Sequence, residues 1–323
     1  MNTQQKSVGG VVVPVITPID KNENVDEKAY RAIIRHCLNA GVDGVFAGGS
    51  AGMGPLLCED QWIRAMEIAH DEVPKEKILL GGAIATSTKR AIKQIKILET
   101  IGFDHVAVTP TFYITISTVD EMMSHFGKCR DATDMEMIVY NIPGCTNSSI
   151  PLEAMEKMAA NGWMKAIKES SGDKKYFSDL MKIASEYSLN VMQGNEPDIE
   201  WGLNLGAAGI VPVCANYEPA TFVAAVRAAA NGEKQKLIEI QKRANSIRDA
   251  LLMGDKNWIA GIMYGLKSIG IGSGIAVVPL QELKPEDKKL IDSIKPQSHG
   301  SVSQIVSLSP DGHSAAKKKS VNK

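Results

Sequence analysis

Short apolar runs and longer amphipathic stretches alternate along this chain with a steady rhythm. The first run, residues 9–18 (GGVVVPVITP), is rich in β-branched residues and ends at a proline, as a strand buried on both faces would. In residues 26–39, Tyr30, Ile33, Ile34, Cys37 and Leu38 recur at helical spacing and share one face. Asp26 stands where its carboxylate can cap that helix. Further apolar runs at 44–46, 78–85, 105–109, 137–141, 164–168, 189–193 and 209–213 bring the strand candidates to eight. Helical patterns separate and follow them at 59–72, 88–101, 118–130, 151–160, 174–186, 197–205 and 218–231.

Strands that alternate with helices predict a parallel sheet. Eight such units within 9–231 predict a closed (β/α)8 barrel, the TIM barrel, with a doubly wound open sheet as the rival. Three more helical patterns, 233–252, 256–268 and 286–294, predict a C-terminal helical appendage over 232–295. Residues 1–8 and 296–323 read as tails. The second has little core-forming potential apart from SQIVSLS and closes on AAKKKSVNK, which reads as a solvated basic cluster.

Composition narrows the class. The 323 residues suffice for a barrel of roughly 250 residues with extra elements. A charged share of 23% beside 44% hydrophobic residues fits a globular domain and excludes a disordered one. The net charge of −1 gives no field that would draw nucleic acid or an anionic membrane. Cys37, Cys58, Cys129, Cys145 and Cys214 are odd in number and form no CxxC pair, so reduced thiols are expected and neither a disulfide framework nor a zinc site. The first ten residues lack the apolar core of a signal peptide, and no run of about 18 apolar residues occurs, so a cytoplasmic protein without a membrane partner is expected. His36, His70, His105, His125, His299 and His313 show no ligand spacing such as HExxH, so no metal is expected. No GxGxxG follows the first run, which argues against a dinucleotide.

Three segments carry candidate chemistry. Lys168 ends the sixth run and precedes Glu169-Ser170-Ser171-Gly172-Asp173, so its side chain belongs at the C-terminal rim or inside the mouth of the barrel, where sites of this fold lie. A lysine amine attacks a ketone only when neutral, and a desolvated pocket favours the neutral form. Attack on a 2-oxo acid gives a protonated imine that stabilises a carbanion on the adjacent carbon. Carbon–carbon cleavage, addition and some dehydrations can follow. The plain alternative is a strand-capping lysine paired with Glu169 or Asp173.

Tyr140 closes the fifth run and shares that rim, where a phenol can shuttle protons or simply pack over the barrel end. Asn141-Ile142-Pro143-Gly144 predicts a tight turn. In residues 46–57 (FAGGSAGMGPLL), four glycines let the backbone close around a small ligand, and successive N–H groups can hold a carboxylate. Ser50 adds a hydroxyl that can bond Tyr140 and relay its proton. A plain glycine-rich loop is the alternative. No GK[ST] ends it, so it is not a phosphate-binding P-loop.

Together these segments resemble the dihydrodipicolinate synthase/N-acetylneuraminate lyase family over about residues 9–295. The family's GTTGE-type loop stands here as Gly49-Ser50-Ala51-Gly52-Met53, and its YN[IV]PxxT-type segment as Tyr140-Asn141-Ile142-Pro143-Gly144-Cys145-Thr146. Its IKE[AS][ST]G-type segment stands as Ile167-Lys168-Glu169-Ser170-Ser171-Gly172. Order and spacing agree, as do the opening GxxxPxxTP, Gly194 and Gly206-Ala207-Ala208-Gly209. The resemblance implies a class I aldolase or lyase that needs no cofactor beyond a covalent imine on Lys168, with Tyr140 as proton shuttle. It implies that Ser50 joins Tyr140 to a second tyrosine, here Tyr113, reaching in from a neighbouring subunit of a homotetramer or homodimer. The N–H groups of Ser50 and Ala51 would bind the carboxylate of pyruvate or another 2-oxo acid, and Val211 would line the pocket.

Three departures bear on substrate. The synthases carry an arginine for the second substrate's carboxylate where this chain has Cys145, and a thiol forms no bidentate charge pair. Ala51 lacks the usual hydroxyl, and Met53 replaces a glutamate, which implies a loop held differently and a reshaped pocket. The leading expectation is a Schiff-base lyase or aldolase that releases pyruvate from a 4-hydroxy-2-oxo acid or a 2-oxo-acid sugar. Dihydrodipicolinate synthase itself, a dehydratase of the same family, and a non-catalytic ligand-binding paralogue are the alternatives.

Overall fold

A computed structural model describes residues 7–253 and 257–297. Eight strands close into a parallel barrel in chain order. They are β1 (Gly10–Pro14), β2 (Gly44–Ala47), β3 (Ile78–Ala83), β4 (His105–Val108), β5 (Glu136–Asn141), β6 (Ala166–Glu169), β7 (Asn190–Gln193) and β8 (Gly209–Ile210). Around them run α1 (Glu27–Asn39), α2 (Glu59–Glu72), α3 (Thr88–Ile101), α4 (Val119–Arg130), α5 (Pro143–Thr146), α6 (Leu152–Ala160), α7 (Lys174–Tyr187), α8 (Ile199–Asn204) and α9 (Pro219–Ala230). The appendage consists of α10 (Lys234–Leu252), α11 (Trp258–Ser268) and α12 (Pro285–Ser293). The open-sheet rival is thereby excluded. No helix among the described residues is long and apolar enough to cross a membrane.

Strand alternation divides the core in two. Phe46, Leu80, Ala107, Ile138, Tyr140, Ala166, Met192 and Val211 fill the barrel interior, while their neighbours Val45, Leu79, Val106, Val139, Ile167, Val191 and Ile210 pack outward against the helices. Every strand is covered on both faces, which explains near-continuous apolar runs without polar alternation. Helix α1 buries Tyr30, Ile33, Ile34 and Cys37, and Asp26 caps it by accepting from the Ala29 N–H at 3.0 Å.

Several boundaries differ from the sequence reading for identifiable reasons. Strand β1 stops at Pro14 because the chain then leaves the sheet. The Ile16 N–H donates to Asn216 Oδ1 at 3.0 Å instead of a neighbouring strand. Strand β8 shortens to two residues. Val211 still donates to the Gln193 carbonyl at 2.9 Å, but Pro212 has no N–H to continue. The expected tight turn at 141–144 is instead the start of α5, with Pro143 in the first helical turn, where its fixed φ suits a helix. Val8, assigned to the N-terminal tail by composition, is buried within the interior cluster. The tail beyond residue 297 lies outside the described residues.

Candidate active site

Barrel register brings the candidate groups to one end. Tyr140 and Lys168 pair directly across β5 and β6, and both side chains point inward. Lys168 is 5% exposed and Tyr140 is 2% exposed. Lys168 Nζ lies 4.0 Å from the centroid of the Tyr140 ring and 5.0 Å from that of Phe46. These two rings meet edge to face with centroids 6.0 Å apart. Burial pushes the Lys168 pKa down to about 7, against smaller opposing influences of Cys145 and Glu196. The aromatic faces favour the ammonium by about 2 kcal/mol at such a desolvated place. That is less than burying an ammonium without a partner costs, so the neutral amine is well populated near pH 7.

The Tyr140 phenol is pushed up, first by burial and then by Cys145, while the Ser50 and Ser170 hydroxyls pull it down. Ser170 Oγ is buried and close enough to act on the phenol, yet it completes no hydrogen bond of normal geometry. The Ser50 hydroxyl is near enough to both the Tyr140 phenol and the Cys145 thiol to lower the pKa of each. As a residue Cys145 is exposed, but its sulphur is sheltered enough that burial raises its pKa, opposed by Ser50 and by the charge of Lys168. Among the described residues, the N–H groups of Ser50 and Ala51 donate to no protein acceptor, so two adjacent donors stand ready for an anion. Val211 lines the same interior as Phe46 and Tyr140.

A buried lock outside the barrel holds the two strand ends. Asn141 Nδ2 donates to Glu169 Oε2 at 2.7 Å, and Asn141 Oδ1 accepts from the Ile150 N–H at 3.0 Å. Glu169 Oε1 accepts from the Ser171 N–H at 2.6 Å. Glu169 therefore faces away from the site, and the strand-cap pairing with Lys168 is absent. Gly194 supplies the space on the other side. A Cβ there would collide with Ser170 Oγ and come within 3.2 Å of Lys168 Cε.

Two sequence expectations fare differently. Met53 does not reshape the pocket by facing it: its side chain is fully buried in the outer core, on a backbone with φ of 56°. Tyr113 is 87% exposed with φ of 78° and stands apart from the cluster formed by its own chain. Three contributors escaped the sequence reading. Ser170 was accessible to it, since two residues past Lys168 the extended backbone returns to the same side. Phe46 and Glu196 carried no local signal. Glu196 is a buried carboxyl whose pKa burial raises, and it accepts from the Cys214 N–H at 2.7 Å and the Cys214 thiol at 3.2 Å.

Comparison with known proteins agrees with this geometry. Residues 7–296 match the model of the Dihydrodipicolinate synthetase family. An uncharacterized DapA-like lyase of Halobacterium salinarum (strain ATCC 29341 / DSM 671 / R1) is 28% identical over 284 residues, covering 88% of this chain and 92% of the relative. An N-acetylneuraminate lyase of Salmonella agona is 25% identical over 90% of this chain and 96% of its own length. A crystal structure of a dihydrodipicolinate synthase superimposes with a TM-score of 0.83 at 26% identity, covering 88% of this chain and 97% of that one. The chain belongs to the dihydrodipicolinate synthetase family and is an enzyme of its class I, pyruvate-dependent aldolases and lyases.

Proposed function

We propose that this enzyme cleaves a 4-hydroxy-2-oxo acid, or a related 2-oxo-acid sugar, into pyruvate and an aldehyde through an imine on Lys168. The observation that carries the reading is a buried lysine amine, with its pKa at about 7, packed against the face of a buried phenol at the barrel mouth. The N–H groups of Ser50 and Ala51 hold the substrate carboxylate, and Val211 packs against its short carbon chain. The neutral amine adds to the C2 carbonyl. Tyr140 gives its proton to the departing hydroxyl, which leaves as water, and the resulting phenolate takes a proton from the C4 hydroxyl. The C3–C4 bond then breaks, its electrons pass into the iminium as an enamine, and the aldehyde departs. Protonation at C3 and hydrolysis return pyruvate and free Lys168. Burial, which keeps Tyr140 protonated at rest, also makes its phenolate a strong base once formed.

Condensation of pyruvate with aspartate semialdehyde is the second reading, favoured by the names of relatives such as the 4-hydroxy-tetrahydrodipicolinate synthase of Chloroherpeton thalassium. Cys145 weighs against it, since the thiol offers no cation to a second carboxylate. We further propose that the protein works in the cytoplasm as a homotetramer or homodimer, with Tyr113 and Ile114, 87% and 73% exposed, at a subunit contact.

Borohydride reduction in the presence of pyruvate is expected to leave a mass adduct on Lys168, and no adduct at saturating pyruvate would sink the mechanism. A panel of 4-hydroxy-2-oxo acids should release pyruvate. Condensation of aspartate semialdehyde at a comparable kcat/KM would favour the second reading instead.

A further inference from the structure

We propose that Thr17 is a positioning residue for the substrate carboxylate: its hydroxyl holds the Gly52 carbonyl and so fixes the turn that presents the Ser50 and Ala51 N–H groups. The proposal rests on the imine reading above and deepens it. Thr17 is the single polar side chain in residues 9–18 and is fully buried. Its Oγ1 donates to the Gly52 carbonyl at 2.7 Å, joining the segment after β1 to the loop after β2. Among the described residues that carbonyl accepts from no other donor, and no other side chain bonds the backbone of 48–54.

The loop is otherwise tied to itself. Gly54 N–H donates to the Gly49 carbonyl at 3.1 Å. Inside that ring Met53 N–H donates to the Ser50 carbonyl at 3.2 Å, which makes 50–53 a four-residue turn with Ala51 and Gly52 at its centre. Both carboxylate donors thus lie within this turn, just ahead of the carbonyl that Thr17 holds. The base of the support is itself anchored. Val15 N–H donates to the Phe46 carbonyl at 3.1 Å and Ile16 N–H to Asn216 Oδ1 at 3.0 Å, so three successive residues each grip a different part of the barrel. The two backbones also touch, since a Cβ on Gly52 would come within 3.0 Å of the Val15 carbonyl. On its β3 side the loop meets bare backbone, because a Cβ on Gly82 would stand 2.4 Å from the Gly48 carbonyl.

Two N–H groups bind a carboxylate best when both are aimed before it arrives, because ordering them on binding costs part of the energy gained. Without the Thr17 hydroxyl the buried Gly52 carbonyl loses its donor, and the turn shifts to find another. Lys168 stands on β6, four strands round the barrel from β2, so imine formation itself is left intact. The expected defect is therefore in holding the carboxylate and not in the chemistry.

The test compares pyruvate with acetone, which presents a methyl group where pyruvate has its carboxylate. The rate of borohydride-trapped adduct formation on Lys168 is read for each in wild type, Thr17→Val, Thr17→Ala and Thr17→Ser, at low and at saturating pyruvate. Thr17→Val should slow trapping at low pyruvate by about 10-fold, with the saturating rate and the acetone rate within about 3-fold of wild type. Thr17→Ser, which keeps the hydroxyl, should stay within about 3-fold of wild type for pyruvate. Thr17→Ala should behave as valine does and decides the matter if the valine variant does not fold. The proposal is overturned if loss of the hydroxyl leaves trapping at low pyruvate unchanged, if acetone trapping falls as far as pyruvate trapping, or if serine rescues no better than valine. It is overturned too if wild type traps acetone as readily as pyruvate. Absence of a pyruvate adduct in wild type would instead defeat the imine reading, so the two failures are separable.

Discussion

The amine of Lys168 releases its proton near pH 7 in the folded chain but near 10.5 when solvated. Its reactivity and its cost to the fold follow from that difference, and both can be measured. The kcat/KM for a 2-oxo acid should rise with pH through an apparent pKa of about 7 as the neutral amine appears. For stability the lowered pKa means that the unfolded state binds more protons between pH 7 and 10.5. The penalty for burying Lys168 is therefore complete below pH 7 and fades as pH rises toward 10.5. Lys168→Met should abolish the adduct yet stabilise the protein by a few kcal/mol at pH 6, and by less at pH 9, in thermal melts. A gain that is flat or grows with pH would contradict the assignment. Lys168 and Tyr140 were legible in the sequence because each closes an apolar run, and strand periodicity is local. Phe46 and Glu196 were not, because barrel closure alone sets how near they stand to Lys168.

Elements begin and end here where backbone partners run out, and side chains substitute at those points. Asn216 is the main instance. It is fully buried, accepts from the Ile16 N–H, and donates to the Pro14 carbonyl at 3.0 Å and the Val213 carbonyl at 2.8 Å. It thus fastens the segment after β1 to the segment after β8, where the two shortest ladders of the barrel meet. Asn216→Leu leaves the buried Ile16 N–H and Pro14 carbonyl without their partner and should cost about 3 kcal/mol in urea unfolding. Hydrogen exchange should rise first at Val15 and Ile16. A loss below about 1 kcal/mol would mean that water replaces the amide. The sequence displayed the eight runs and their helices clearly. It did not display where β1 stops, because that end depends on Asn216 meeting partners some 200 positions away.

At the scale of the whole molecule, the assembly proposed above would cover apolar residues left outside the core. Tyr113 and Ile114 lie side by side in the loop after β4, and Leu56 is half exposed in the loop after β2, both at the mouth end of the barrel. Light scattering should give a mass that is a multiple of the chain, and Ile114→Glu should shift it to the single-chain value. An unchanged mass in that variant would place the contact elsewhere. Sequence reading reached the barrel and its appendage because each repeats a local pattern. It could only infer assembly through resemblance, because the apolar residues of a surface patch come from separate loops and carry no period.

The seam between β1 and β8 also sets an order of events during synthesis. Gly10 pairs with Gly209, and Ile16 waits for Asn216. On a ribosome the first seven strands emerge with the leading edge of β1 unpaired, and the wall stays open until the chain past residue 216 has cleared the exit tunnel. Lys168 is thus translated well before the enclosure that lowers its pKa exists. A nascent chain keeps that lysine charged and unreactive toward cellular 2-oxo acids until the barrel closes around it.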